Sequence, residues 1–260
     1  MTASRLRPVR LPLRHAPLRR LLAGALLCAA FALPAGAQGR LTNAQIVRNF
    51  DVIALRNEHV RLSDPRITKW LTPIRYYIQQ DVRIAPIVLK DARDHMARLS
   101  RLTAISVREV YAPRFANFVI VFTRSSLFAR RIRENLRPYN ASLARRLNRA
   151  ACIGIFRRST ATNEILRGVA IIPVDFARER GILYGCIVEE TTQLMGLPND
   201  SPDVYPSIFN DASRLDDLSW QDKLLLRMLY HPAMKVGLRR RAALAVARRI
   251  LPALRGSDGH

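Results

Sequence analysis

Between residues 70 and 195, short β-branched runs alternate with long amphipathic stretches, and that alternation admits few folds. Ile74, Tyr76 and Ile78 alternate with Arg75 and Tyr77, so residues 70–78 read as a strand. Residues 105–110, 117–123, 152–157 and 165–174 are further β-rich runs. Helical periods occupy 42–58, with Ile46, Val47, Phe50, Ile53 and Leu55 on one face, and also 85–102, 125–148 and about 181–195. Gly196 ends the last of these as a cap. Strands interleaved with helices of this length predict an α/β (α+β) fold, a twisted mixed sheet with helices packed on it. No repeat, low-complexity tract or Gly/Ser linker divides the chain, so one domain is expected.

The N-terminus has the three regions of a secretory signal peptide. An Arg-rich start precedes an apolar run from Leu21 to Leu33 and then Ala35-Gly36-Ala37. That run is about 13 residues, short of the roughly 20 that cross a bilayer. Cleavage near Ala37 would start the mature chain near Gln38 and place it in the periplasm or outside the cell. Leu26-Leu27 ahead of Cys28 lacks the small residue that a lipobox needs, and Arg19-Arg20 fits a twin-arginine signal weakly. In an oxidising compartment the two remaining cysteines, Cys152 and Cys186, are expected to form a disulfide; two buried thiols are the alternative.

Charge gives less guidance. The formal net charge is +23, which ordinarily points to an anionic partner. Only four of the 43 basic residues are lysines (Lys69, Lys90, Lys223, Lys235), the pattern that a GC-rich codon bias produces without selection for binding. Six of the arginines lie in the export segment. Nucleic acid is therefore disfavoured as a partner. From Arg239 to Arg255, arginines interleave with Leu244, Val246, Ile250, Leu251 and Leu254. Such a helix either docks on its own domain or lies on an anionic membrane surface.

The chemistry-bearing residues follow Cys186. Glu189 and Gln193 are four apart and share a helical face, with Glu190 beside the first and Gly196 and Asn199 beyond. This is the frame of a zinc-protease helix, His-Glu-x-x-His, in which the first and fifth residues hold the metal and the second is the general base. Here Glu189, Glu190 and Gln193 fill those places, Gly196 matches the turning glycine of the extended metzincin pattern, and Asn199 stands at the third ligand. Downstream, Ser207-Ile208-Phe209-Asn210-Asp211 matches the metzincin turn beneath the metal, with Phe209 for Met and Asp211 for Tyr. The run from Leu218 through Ser219 and Asp222 to Tyr230 matches the closing helix, with Ser219 as cap and Asp222 as first-turn acid.

These segments, with Leu224–Leu238, closely resemble the bacterial exported family of domain of unknown function 2927, specifically over residues 185–238 and more loosely back to Trp70. The resemblance implies a degenerate metzincin-like (zincin-like) single domain over 70–238, with an active-site-type helix and C-terminal helices. A signal peptide (1–37) and an N-terminal helical extension (38–69) would precede it, and a basic helix (239–260) would follow. It implies no activity.

One carboxylate and two amides make a poor zinc site, since zinc prefers nitrogen and sulfur. His59, His95, His231 and His260 show no paired spacing that would substitute. A weak Ca²⁺, Mg²⁺ or Mn²⁺ site remains open if Asp200 or Asp211 joins Glu189, although no cofactor is the leading expectation. Trp70, Tyr76 and Tyr77 are either core residues or the lining of a groove beside an edge strand. The expected function is non-catalytic binding of a peptide or cell-envelope polymer above Glu189–Asn199, as a pseudoenzyme. The alternatives are a peptidase-like hydrolase with Glu190 as general base, and a structural protein on a membrane surface. No phosphate-binding glycine loop or serine nucleophile motif is present.

Overall fold

The first helix begins where Thr42 supplies both halves of a capping box with Gln45, accepting from its N–H at 3.2 Å while the Gln45 side chain accepts from the Thr42 N–H at 2.7 Å. It opens a computed structural model that describes residues 41–57, 63–136, 140–210, 212–213 and 215–256. Residues 1–40, where the signal peptide is expected, and Glu58, His59, Asp211 and His260 lie outside the described residues. The described residues belong to one compact unit, Leu41–His260.

The helices are α1 (Asn43–Leu55), α2 (Pro86–Thr103), α3 (Ser125–Asn135), α4 (Ala141–Leu147), α5 (Val174–Glu179), α6 (Leu183–Gln193), α7 (Trp220–Tyr230) and α8 (Arg240–Gly256). The strands β1 (Ile74–Gln80), β2 (Val107–Glu109), β3 (Phe118–Thr123), β4 (Ile153–Arg158) and β5 (Ile165–Pro173) form one sheet in the order β2-β1-β3-β5-β4. Its pairs are parallel except β4 with β5, so the sheet is mostly parallel with one antiparallel edge. A mixed α/β domain was the expectation from sequence, and the sheet is mixed in this specific way.

Strand alternation divides the core into two layers. Phe118, Ile120 and Phe122 of β3 face a large cluster with α1, α2, α6, α7 and α8, while Val119 and Val121 face a smaller one with α3 and α4. Both faces of β3 are covered, as parallel central strands require, and all six of its residues are buried. α8 docks on α1 and α7 through Ala243, Ala247, Ile250 and Leu251. Arg240 closes that contact with a two-pronged ion pair to Asp51, 2.6 Å on each side. The outer face of α8 is left to exposed Arg241, Arg248 and Arg249.

Several elements differ from the sequence expectation in extent. The first strand starts at Ile74, because Trp70 is fully buried as a core side chain ahead of it. The helical stretch 125–148 is two helices, since the chain leaves helical geometry at Leu136 and re-enters behind Asn140, whose side chain caps α4 at 2.8 Å. α5 follows β5 directly and was not expected. α6 begins at Leu183, two residues beyond left-handed Gly181. Among the described residues no helix is long and apolar enough to cross a membrane.

Cys152 and Cys186 are joined, as expected, across a separation of 34 residues. The bond fastens the start of the edge strand β4 to α6. In the chain-entropy model it contributes about 3–4 kcal/mol by restricting the unfolded chain. The Cys152→Ala/Cys186→Ala protein should lose about that much in urea unfolding, and adding reductant should destabilise wild type but not the variant.

Candidate functional site

α6 lies across β4 and β5, and at two strand positions glycine keeps the packing close. A Cβ at Gly154 would sit 3.2 Å from Glu190 Oε2 and 3.2 Å from Leu194 Cγ. A Cβ at Gly168 would meet Phe118 and Trp70 at 3.3 and 3.4 Å. The glycines let the helix settle onto the sheet with Glu190 turned towards Gly154 and buried to 6% exposure. Glu189, one residue earlier and about 100° around the helix, is only half-buried.

The end of α6 is held from three sides. Gly196 has φ +110°, and a Cβ there would stand 2.0 Å from the Thr68 carbonyl oxygen, so no other residue fits. The Trp70 indole N–H donates to the Leu194 carbonyl at 2.8 Å. The Tyr230 hydroxyl donates to the Met195 carbonyl at 2.8 Å and accepts from the Trp70 N–H at 3.2 Å. These bonds satisfy the carbonyls of the two residues that follow Gln193, the last residue of α6. Burial raises the Tyr230 phenol far above its ordinary value, keeping it a neutral donor.

Three of the expected site residues meet just beyond this turn. Gln193 donates through Nε2 to Asp200 Oδ1 at 2.7 Å, and Asn199 donates through Nδ2 to the Asp200 carbonyl at 2.8 Å. Gln193 and Asn199 are buried at 8% and 7% exposure. The turn at Ser207–Asn210 is built separately. Asp222, in the first turn of α7, accepts from Ser207 Oγ at 2.6 Å, the Ile208 N–H at 2.9 Å and the Ser219 N–H at 2.8 Å. Burial pushes this carboxyl above the usual Asp range while those donors pull it back down. Phe209 is fully buried, its N–H donating to Ser207 Oγ at 3.0 Å, and Asn210 donates to the carbonyls of Pro202 and Val204.

Behind α6, His95 of α2 fixes the helix from the core side. Arg98 Nη2 donates to His95 Nδ1 at 2.7 Å, so the ring proton is on Nε2, which donates to Thr192 Oγ1 at 3.1 Å. Thr192 in turn donates to the Val188 carbonyl at 2.6 Å, and Asp217 receives the Arg98 guanidinium. Burial, helped by the Arg98 charge, lowers the His95 pKa to about 3. The histidine is neutral and committed to packing.

A cleft of about 310 Å³ opens at the rim of the sheet, within the range of ligand pockets. Gln193 and Leu194 line it from the α6 side, Leu143 and Leu147 from the α4 side, and Thr68 and Pro198 from the flanking loops. Residues from both layers converge there because β4 is an edge strand, paired only with β5 among the described residues. Gly154, Ile155, Phe156 and Arg158 of β4 line the same cleft. The Gly168 N–H bonds to Asn117 on the β3 side, so Gly168 and Ala170 turn their backbone groups away from β4. Their register partners, Phe156 and Gly154, consequently turn N–H and C=O outward to the open edge.

Among the described residues no three His, Cys, Asp or Glu side chains are grouped to hold a metal ion. Gln193 and Asn199 are tied to Asp200 by hydrogen bonds, and Glu189 and Glu190 are not among the residues lining the cleft. Of the aromatic residues considered as groove lining, Trp70 and Tyr76 are core side chains and Tyr77 packs against the smaller cluster. Sequence reasoning missed the roles of Trp70 and Tyr230 as locks on α6, and of Asp222 as the latch of the 207–210 turn. The Ser219/Asp222 cap was legible, but the same carboxylate's reach to Ser207 has no local sequence signal.

A family model described as "Protein of unknown function (DUF2927)" matches residues 43–249. No curated protein matches the chain.

Two measurements test this construction. Gly196→Ala should cost more than about 3 kcal/mol in urea unfolding, because backbone must move. Gly181→Ala, also left-handed at φ +69° but with nothing within 4 Å, should cost about 1 kcal/mol. His95 supplies a pH signature. Its folded pKa, about 3, is below the unfolded value near 6.5, so the unfolded chain binds the extra proton in that window. This contribution is complete above about pH 6.5 and is lost on acidification towards pH 3, by up to about 1.4 kcal/mol per pH unit. His95→Gln should flatten that part of the stability curve.

Proposed function

This chain belongs to the DUF2927 family, whose description assigns no activity, and from that premise we propose that it is an exported, non-catalytic binding protein. It holds an extended peptide, or the peptide portion of a cell-envelope polymer, by strand addition to β4. The observation that carries this reading is the outward backbone of Gly154 and Phe156 along the cleft. A ligand backbone laid there completes hydrogen bonds that the sheet leaves open, and alternate side chains enter the cleft.

The zinc-protease spacing of Glu189, Glu190 and Gln193 supports descent from a zincin-like frame, with α6 in the place of the metal-binding helix. Of the frame residues, Gln193 lines the cleft, where its amide suits recognition of a backbone. Glu190 is turned to Gly154 between helix and sheet, which favours binding over a general-base role, since a base must reach the group it deprotonates. The export-type N-terminus and the Cys152–Cys186 bond together support a periplasmic or extracellular site of action.

N-methyl scanning of a bound peptide is the direct test. Strand addition predicts a period of two, in which methylation of alternate amides abolishes binding and methylation of the intervening ones leaves it within about threefold. A uniform response, or none, would exclude strand addition. The peptide should be recovered intact by mass spectrometry after long incubation, and Glu190→Gln should alter affinity at most; cleavage that disappears in this variant would instead establish the hydrolase reading.

A further inference from the structure

The mouth of the cleft carries two guanidinium groups in different states. Arg66 is matched by Asp64, through Nε at 2.9 Å and Nη2 at 2.7 Å. Arg158, at the end of β4, donates through Nη1 to the side-chain oxygen of Asn163, a neutral amide. Among the described residues no carboxylate stands within ion-pair distance of Arg158.

The Arg158 side chain is nevertheless aimed. Asn163 is buried at 7% exposure and sits in left-handed backbone at φ +64°. The turn that holds it is closed by Ser159 N–H to Glu164 carbonyl at 2.8 Å, Asn163 N–H to Ser159 carbonyl at 2.9 Å and Thr162 N–H to Ser159 Oγ at 3.1 Å. A guanidinium has five N–H donors, and with one corner fixed the rest of its planar fork can meet a carboxylate in two-pronged fashion. The register with β5 shifts at Arg157/Arg158, and Arg158 opposite Ile165 is the last pair of the ladder.

We infer that the β4 cleft selects peptides that carry an Asp or Glu side chain beside Arg158, and this rests on the strand-addition reading above. Antiparallel addition is the more stable pairing per residue, and it sets the N-terminal part of the ligand beside Arg158. A terminal carboxylate would then lie at the far end, near Cys152, so the acid is a side chain. Leu143 and Leu147 line the same cleft and offer contact to apolar side chains of the ligand.

The test uses the full mature protein and short acetylated, amidated peptides of alternating Val and Thr, with Glu, Gln or Lys in the N-terminal third. Titration should show the Glu peptide binding about fivefold tighter than the Gln peptide at low salt, with the difference shrinking as salt is added. Arg158→Gln should erase the preference and Arg158→Glu should turn it towards Lys, whereas Arg157→Glu, which does not line the cleft, should preserve it. Equal binding of the Glu and Gln peptides to wild type overturns the acid selection while leaving strand addition standing. If a neutral peptide with a free C-terminus outbinds its own amide as strongly, the carboxylate is a terminus and the inference fails. Should none of the peptides bind, strand addition itself falls, and acid selection with it.

Discussion

The contact between the Thr68 carbonyl and Gly196 sets the position of everything around the cleft. At a 2.0 Å approach to a hypothetical Cβ, the first turn after α6 must be glycine, and the chain before β1 must run directly over it. That path brings Trp70 and, through it, Tyr230 to the carbonyls of Leu194 and Met195 just after α6. It also places Lys69 where its ammonium donates to the Leu229 and Met234 carbonyls at 3.0 and 2.6 Å. Burial, with Lys235 nearby, lowers that lysine to about 8, yet these two carbonyls and the Tyr230 ring face, 5.5 Å from Nζ, favour its charge. One close backbone approach thus ties α6, α7 and the entrance to the sheet into a single rigid corner.

The polar groups in this corner are largely buried and linked to one another, which limits what they can do. Asp222 accepts from several donors, His95 bridges Arg98 and Thr192, and Gln193 and Asn199 both donate to Asp200. Such networks are costly when half satisfied, so removing one member leaves the others exposed to the full desolvation penalty. They specify one arrangement of α6 and its following loop. The segment from Gln193 to Asp200 is therefore held as a hydrogen-bonded scaffold, with amide and carboxylate groups answering one another.

Sequence pattern conveyed the layers and the frame but not their fastening. The strands, the long helices, the Cys152–Cys186 bond and the i, i+4 relation of Glu189 and Gln193 all follow from local periodicity or residue type. Trp70 was ambiguous because an aromatic beside a strand reads equally as core or groove, and only its bond to Leu194 decides. Asp222 was legible as a cap and illegible as a latch, since its partner Ser207 is brought near by the loop between α6 and α7. The break between α3 and α4 was hidden because the arginines of 125–148 keep a helical period across a segment that is not helical throughout. The openness of β4 had no sequence signal at all, because strand order is set by tertiary packing.

The open edge of β4 has physical consequences of its own. An exposed strand edge invites aggregation, and proteins blunt such edges by shortening them, charging them or covering them. The opposite edge of this sheet follows the first course, since β2 has only three residues. β4 is longer, is bonded to α6 through Cys152, and turns Gly154 and Phe156 to a cleft lined with leucines. Arginines stand at its exposed end, and the chain's net charge of +23 adds general repulsion between copies. An edge protected from other copies of the chain, yet left unpaired along a recess walled by apolar side chains, is an arrangement suited to admitting a narrow, extended chain and excluding a sheet.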